Sequence, residues 1–302
     1  MFHVKPELEI ITKCPLCAAP ELTPIFNCTD NLVSHEQFGL VDCNSCGLRL
    51  TSPRPSPINI GTYYQSEDYV SHSGTSRGFV HTLYHYVRSY TLYQKFQLIR
   101  HYHKNGNLLD YGAGSGEFLA SMKRRGYSIS GIEPDAQTRK RALEKNGIEL
   151  FAPSSIDEAS NDKTFNVITM WHVLEHVHDP KTLLIKLRNQ LNKSGTLIIA
   201  VPNYYSKDAT IYGSEWAAYD VPRHLFHFTQ KTMTKLARLS GFEIQKVVPM
   251  YFDAYYVSML SEKNKGGGII RGVKSGLRSN LSARFKTGEY SSLIYVLQRI
   301  KP

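Results

Sequence analysis

Four short stretches carry residue types that could do chemistry. The first is Asp110-Tyr111-Gly112-Ala-Gly114-Ser-Gly116, where glycines follow a carboxylate at alternate positions. Such a turn lets a bound molecule approach the backbone closely, and the first amides of a following helix can meet an anion. Its spacing differs from the G-x-G-x-x-G of dinucleotide-binding turns. The second is Gly131-Ile-Glu133-Pro134, a little over twenty residues on, whose carboxylate can accept hydrogen bonds from both hydroxyls of a ribose. The third pairs Cys14-Pro-Leu-Cys17 with Cys43-Asn-Ser-Cys46, a spacing suited to four thiolates around a tetrahedral Zn²⁺. The fourth is Tyr219-Asp220-Val-Pro-Arg223-His224-Leu-Phe-His227. A histidine there can take a proton near neutral pH, and Arg223 can hold an anionic group with two parallel hydrogen bonds.

The elements that must position these residues follow from patterning. From Leu108 the chain alternates strand and helix signals: strand Leu108–Asp110, helix Phe118–Arg125, strand Tyr127–Glu133, strand Ile148–Phe151, strand Phe165–Met170, helix Lys181–Leu191 and strand Thr196–Val201. Alternation of this kind implies an α/β fold with a parallel sheet and crossover helices, whose ligands sit beyond the carboxyl ends of the strands. Those ends carry Asp110, Glu133, the Ser154-Ser155 pair that would border a base, Trp171-His172, and Asn203. Asp179-Pro180 reads as the N-cap and first residue of the fourth-strand helix, a structural role.

Ahead of this lie two smaller regions. Residues 1–52 read as a zinc ribbon, with Cys28 as a small buried apolar residue and all four metal ligands supplied by protein, so the metal would be structural. Two disulfides are the competing use of the cysteines, disfavoured by a start without the apolar stretch of a secretory leader. Residues 53–104 form a linker and helical lid. Thr51-Ser-Pro-Arg-Pro-Ser-Pro57 cannot be helix, Tyr63, Tyr64, Tyr69 and His72 are placed to contact a substrate, and Phe79–His103 shows apolar residues at helical spacing. Residues 105–302 form the main domain, interrupted by a basic insertion at 253–289.

The chain of 302 residues is 41% hydrophobic and 21% charged, with a formal charge of +10 and 19 tyrosines. No apolar run approaches the roughly 18–20 residues of a membrane span, and a cytoplasmic address is the expectation. The positive balance favours anionic partners without naming one. Within the insertion, Ile269, Ile270, Val273 and Leu277 form a stripe among Lys263, Lys265, Arg271, Lys274, Arg278, Arg284 and Lys286, a pattern open to peripheral membrane contact over 263–286 or to a polyanion.

Leu109-Asp-Tyr-Gly-Ala-Gly-Ser-Gly, Gly131-Ile-Glu-Pro, Trp171-His-Val-Leu-Glu-His-Val and Asp220-Val-Pro-Arg-His-Leu-Phe-His-Phe228 together resemble class I S-adenosylmethionine (SAM) methyltransferases. The resemblance spans about 105–250 and 291–298, within the group that includes ubiquinone-type O-methyltransferases and polysaccharide-linked enzymes. It implies a Rossmann-like sheet of seven mostly parallel strands, its last strand antiparallel, with a closing hairpin from Phe242–Val248 and Leu293–Leu297. SAM would then rest its methionine on Asp110, Tyr111, Gly112, Gly114, Gly116 and Phe118, near Trp171 and His172, with its ribose on Glu133 beside Pro134. A zinc-ribbon N-terminus ahead of such a domain is similar to certain sugar C-methyltransferases.

The expected activity is methyl transfer from SAM to a small molecule, a sugar or saccharide-linked acceptor at O, N or C. His224, then His227 and His172, are the candidate bases. Tyr219, Asp220, Arg223 and Asn203 would wall the acceptor. The alternatives are an RNA methyltransferase, since a ribbon and positive charge suit nucleic acid, and a methyltransferase-fold binding protein without catalysis. The oligomeric state is open.

Overall fold

The computed structural model describes residues 7–64, 79–155 and 164–300; Tyr69 and His72 lie outside the described residues. Five short strands open the chain: β1 (Leu8–Glu9), β2 (Leu22–Thr29), β3 (Gln37–Cys43), β4 (Arg49–Thr51) and β5 (Arg54–Pro55). β2, β3 and β4 run antiparallel, while β1 pairs with β5. On β3, Phe38 and Leu40 turn inward at a period of two, which sets one face against the rest of the molecule. Tyr63 and Tyr64 follow in a 3₁₀ turn, Ile60–Tyr64.

The main domain begins with α1 (Phe79–Tyr102) and continues through β6 (Gly106–Tyr111), α2 (Glu117–Lys123), β7 (Tyr127–Ile132), α3 (Ala136–Asn146), β8 (Phe165–Trp171), α4 (Pro180–Gln190) and β9 (Leu191–Pro202). Then come α5 (Lys207–Tyr212), β10 (Phe226–His227), α6 (Gln230–Leu239), β11 (Phe242–Pro249), α7 (Tyr251–Asn264), α8 (Ile269–Ser282) and β12 (Ser292–Arg299). The central sheet has the order β11-β12-β9-β8-β6-β7. β7, β6, β8 and β9 are parallel, and β12 runs antiparallel to both of its neighbours. The mostly parallel α/β sheet with its closing hairpin is therefore present. The stretch read as the third strand joins the edge by a single bridge, Ile132 to Phe151, with two flanking hydrogen bonds and no ladder. Pro153 follows at once and has no N–H to extend the pairing.

Sequence signals account for most boundaries. Asp179 accepts a hydrogen bond from Thr182 N at 3.0 Å with Pro180 as first helical residue, and Asp135 caps α3 in the same way through Thr138 N. Both faces of the sheet are covered, which is why its strands read as apolar runs. Leu109, Ile168, Met170 and Leu197 pack towards α4 and α6, whereas Leu108, Val167 and Ile198 pack towards α1 and α2.

The ribbon is not a separate bead. β10 of the main domain pairs with β4, so the ribbon sheet has the order β10-β4-β3-β2. A third apolar cluster, with Phe38, Leu40, Tyr63, Trp216, Tyr219 and Val257, fills the seam. The basic insertion is a helical hairpin. A Cβ on Gly272 would fall 2.6 Å from Met259 Cα, and one on Gly276 would fall 2.7 Å from Tyr255 Cα, so α8 touches α7 backbone to backbone only because both are glycine. With that face turned inward, Ile269, Ile270, Val273, Leu277, Leu281 and Phe285 point outward, 42–73% exposed. Among the described residues no helix is long and apolar enough to cross a membrane.

Candidate active site

The carboxyl ends of β6, β7, β8 and β9 meet where the strand order reverses between β6 and β8. At the end of β6, Gly112 N and Ala113 N both donate to Ile132 O at 2.8 Å, folding the turn down over the tip of β7. Gly112, Gly114 and Gly116 have φ of 82°, 53° and 74°, left-handed values that suit glycine. A Cβ at Gly112 would strike the Val173 side chain at 2.3 Å, whereas one at Gly114 would meet nothing within 4 Å. Gly114 thus faces open space, a cradle for a ligand.

Two carboxylates shape this cradle. Asp110 is 2% exposed and accepts a hydrogen bond from Thr169 Oγ1 at 2.6 Å. Burial pushes its carboxyl up to about 6, although the Thr169 bond and the Lys95 ammonium pull the other way. Glu133 accepts from Gly114 N through Oε2 at 2.9 Å and from Asp135 N through Oε1 at 3.0 Å. Each oxygen keeps a lone pair for a further donor. Pro134 is exposed beside it, and its carbonyl accepts from Arg139. Burial raises the Glu133 carboxyl while the two amides hold it down, with the net shift upward.

Aromatic groups close the other side. The Phe118 ring meets Trp171 edge to face at 5.6 Å, and Lys95 Nζ stands 4.1 Å from the centre of the Trp171 ring. Among the described residues Trp171 Nε1 is buried without a hydrogen-bond partner, which leaves a donor available to a ligand. Tyr111 is half-buried against the core cluster of Leu109 and Ile168. Ser154 is exposed and Ser155 half-buried in a 3₁₀ turn just beyond Phe151, at the border of the undescribed residues. Open glycine backbone, a carboxylate pair, an aromatic wall and an orphan indole donor fit a nucleoside that carries an amino-acid tail.

On the acceptor side, His172 has φ of 56° and bridges two carboxylates, with Nε2 3.0 Å from Asp253 Oδ2 and Nδ1 3.4 Å from Glu175 Oε1. Burial opposes its charge, but these carboxylates win and push it up to about 10. As an imidazolium it has no lone pair to accept a proton, so its environment makes it a fixed cation. His227 lies on β10 in the seam; its Nε2 is 3.1 Å from Thr51 Oγ1, which itself donates to His224 O at 2.7 Å. Burial, with His224 nearby, drives His227 well below the usual range, so it stays neutral and packed against Tyr219.

Arg223 is 1% exposed. Its guanidinium reaches Asp220, Asp30, the Tyr63 carbonyl and the Val221 carbonyl. With only 1% of the residue exposed and its donors turned to these groups, the guanidinium ties the ribbon to the acceptor loop instead of presenting a clamp to an anionic substrate. Tyr219 accepts from Arg49 at 2.7 Å, and Asn203 is buried, donating to Glu289 and to the Tyr290 carbonyl. Tyr64 approaches His176 Nδ1 at 2.9 Å. His224 remains beside the cleft, 8% exposed, with its ring centre 4.6 Å from that of His176.

The structure adds residues that the sequence reading passed over. Lys95, Glu175, His176 and Asp253 all face the cleft side of β8. Burial pushes Lys95 down to about 8 despite Asp110 and Asp253, and it pushes His176 down to about 4. A glutamate inside the apolar Leu174-Glu175-His176-Val177 was the available signal for two of them.

The four cysteines converge. Cys14 and Cys46 sulfurs stand 3.5 Å apart, as do those of Cys17 and Cys43, and all four lie within 4.8 Å of one another. Tetrahedral zinc–sulfur bonds of about 2.3 Å place sulfurs about 3.8 Å apart, so the set fits the ion. Burial raises the Cys14 thiol and lifts Cys46 to about 11, values at which thiols stay protonated unless a cation displaces the protons. In Cys17 the Ala19 amide and the neighbouring thiols outweigh burial and bring it down to about 7. Cys28 is buried and apart.

Fold and site thus define a nucleoside-binding α/β domain with a four-cysteine ribbon. A family model described as "Methyltransferase domain" matches residues 84–247, more than half of the chain, and the protein belongs to that family. A ubiquinone biosynthesis O-methyltransferase of Rickettsia typhi is 27% identical over 148 residues, 47% of this chain and 58% of that protein. The corresponding protein of Aeromonas salmonicida is 25% identical over 208 residues, 65% of this chain and 76% of its own length. The match to Rickettsia prowazekii spans 46% of that relative, so the chain covers about half the length of several curated relatives. Among solved structures, a magnesium protoporphyrin IX methyltransferase from Synechocystis with bound SAH gives a TM-score of 0.51 at 14% identity, covering 79% of this chain and 97% of that one. That likeness shows the shared fold.

Proposed function

We propose that this protein is a SAM-dependent methyltransferase acting on an oxygen of a small molecule, a sugar or saccharide-linked compound being the preferred acceptor. The carrying observation is Glu133, whose Oε2 accepts from Gly114 N of the glycine turn and whose Oε1 accepts from Asp135 N, while each keeps a lone pair for a ribose hydroxyl. When bound, SAM supplies a methyl group already activated on a sulfonium. Asp110 and Glu133 place negative charge beside a cationic ligand, and Trp171 with Phe118 keeps water from the reacting carbon. What remains for the chain is alignment of the acceptor oxygen and removal of its proton. The lone pairs suited to the second task are on His224 and His176.

The relatives named as O-methyltransferases support oxygen as the acceptor atom. The saccharide preference rests on the likeness to ribbon-bearing sugar enzymes. The outward stripe of α8 joins seven Lys and Arg without an Asp or Glu over 263–288, a combination suited to an anionic membrane surface. Calorimetry with S-adenosylhomocysteine (SAH) tests the reading. Micromolar binding that thermally protects the chain is expected; absence of binding sinks it.

A further inference from the structure

Glu175 is the anomaly of the acceptor side. It is 1% exposed, and among the described residues neither of its buried oxygens completes a hydrogen bond. Its nearest cation, His172 Nδ1, is 3.4 Å away. With one imidazolium at 3.4 Å and no hydrogen bond completed, this buried carboxylate has acceptor capacity for a further positive partner. Two more imidazoles lie against it: one ring nitrogen each of His176 and His224 and a Glu175 oxygen all fall within 4.8 Å of one another.

Backbone carbonyls anchor one nitrogen of each ring. His224 Nδ1 faces the Ala218 carbonyl at 2.9 Å, and His176 Nδ1 faces the Arg223 carbonyl at 3.1 Å. A carbonyl oxygen only accepts, so His224 Nδ1 carries the hydrogen and its Nε2 keeps a lone pair. His176 Nδ1 also meets the Tyr64 hydroxyl at 2.9 Å, and in the tautomer that donates to both oxygens its Nε2 is free as well. Histidines that ligate metals are held in this way, one nitrogen anchored to a backbone carbonyl and the other free for the ion.

We propose that Glu175, His176 and His224 form a second metal site, separate from the four cysteines, for a divalent cation of the Zn²⁺, Co²⁺ or Mn²⁺ type with at least one coordination position open. Three atoms within 4.8 Å of one another share a centre at most about 2.8 Å from each. Side-chain shifts of under about 1 Å complete bonds of 2.0–2.2 Å. Two imidazoles and one carboxylate favour these ions over Mg²⁺ and Ca²⁺, which take oxygen shells. Asp220 Oδ2 stands 3.9 Å from His224 Nε2, fixed by Arg223, and adds negative charge beside the site.

The use of this site rests on the methyl transfer proposed above. The open position takes the acceptor hydroxyl oxygen, and the cation lowers its pKa so that the proton leaves to solvent. The oxygen–carbon bond then forms as the sulfonium–carbon bond breaks, and the sulfur departs as a neutral thioether. His224 is on this view a ligand first, with the lone pair that a base would use committed to the ion.

Metal analysis of the full chain tests the site without reference to activity. After equilibration with Zn²⁺ or Co²⁺ and removal of excess, the wild type should hold two equivalents, and Glu175→Gln and His224→Gln one each. With Co²⁺, the intense thiolate charge-transfer bands of the cysteine site should persist in both variants, while the weaker bands of the nitrogen–oxygen site disappear. SAH affinity should be unchanged in both. Loss of SAH binding in the wild type would strike the methyl-transfer reading and leave the metal count standing. A wild-type chain that saturates at one equivalent overturns the site, and this titration needs no variant to fold. Well-folded variants that both retain two equivalents overturn it equally.

Discussion

Replacing Glu133 gives the sharpest test of the cofactor reading. Both of its oxygens already face backbone N–H groups, Gly114 at 2.9 Å and Asp135 at 3.0 Å. In Glu133→Gln, either orientation of the amide sets an NH₂ against one of these donors, so the isosteric change is not a mild one. One hydrogen bond to a charged group is lost, about 1.5–3 kcal/mol, and one ribose hydroxyl loses its acceptor, at a similar cost. If half of this total falls on the bound state, SAH affinity drops by about ten- to a hundredfold, since 1.4 kcal/mol is a factor of ten. Glu133→Ala removes both acceptors and should weaken binding by a further tenfold or so. Calorimetry with SAH and with its 2′-deoxy analogue isolates the ribose contribution. Wild type should discriminate between the two ligands, and Glu133→Ala should not. A Glu133→Ala protein that keeps its melting temperature, binds SAH within about threefold of wild type and still prefers the hydroxylated ligand would refute the reasoning.

Three further outcomes follow from the geometry. Asp110, raised by burial to about 6, contributes stability that is complete below its ordinary value near 3.9 and is lost as pH rises through 6; the difference amounts to about 3 kcal/mol. Asp110→Asn should therefore flatten the fall in ligand-free stability between pH 4 and 7, checked by denaturant titrations across that range, and a parallel fall in both proteins would count against it. Arg223→Ala strands Asp30, which is 0% exposed, and should cost about 3–5 kcal/mol in urea unfolding, whereas a loss under about 1 kcal/mol would show the pair to be dispensable. In vesicle flotation, the chain should rise with anionic but not neutral vesicles, and Ile270→Glu with Phe285→Glu should abolish this while leaving SAH binding intact; equal flotation with neutral vesicles would remove the electrostatic part of the argument.

Local rules made much of the molecule legible in its sequence. The glycine turn needs left-handed backbone that only certain residues supply, the cysteine spacing matches the reach of one ion, and Asp179-Pro180 starts a helix wherever it stands. Each of these depends on residues a few positions apart, and the strand–helix alternation extends the same logic to the parallel sheet. Partner choice between distant segments is another matter. Arg223 looked like a free anion clamp because nothing local reveals that Asp30, nearly two hundred residues earlier, pairs with its guanidinium and buries it. His172 looked like a base because Asp253 lies eighty-one positions downstream, and the field of that carboxylate with Glu175 sets its charge. The stripe on α8 is legible as an amphipathic face, but only tertiary packing shows that Gly272 and Gly276 take the side against α7 and leave the stripe outward. Chemical type and spacing are written along the chain, but the protonation and availability of a buried group depend on what folding places within a few ångströms of it.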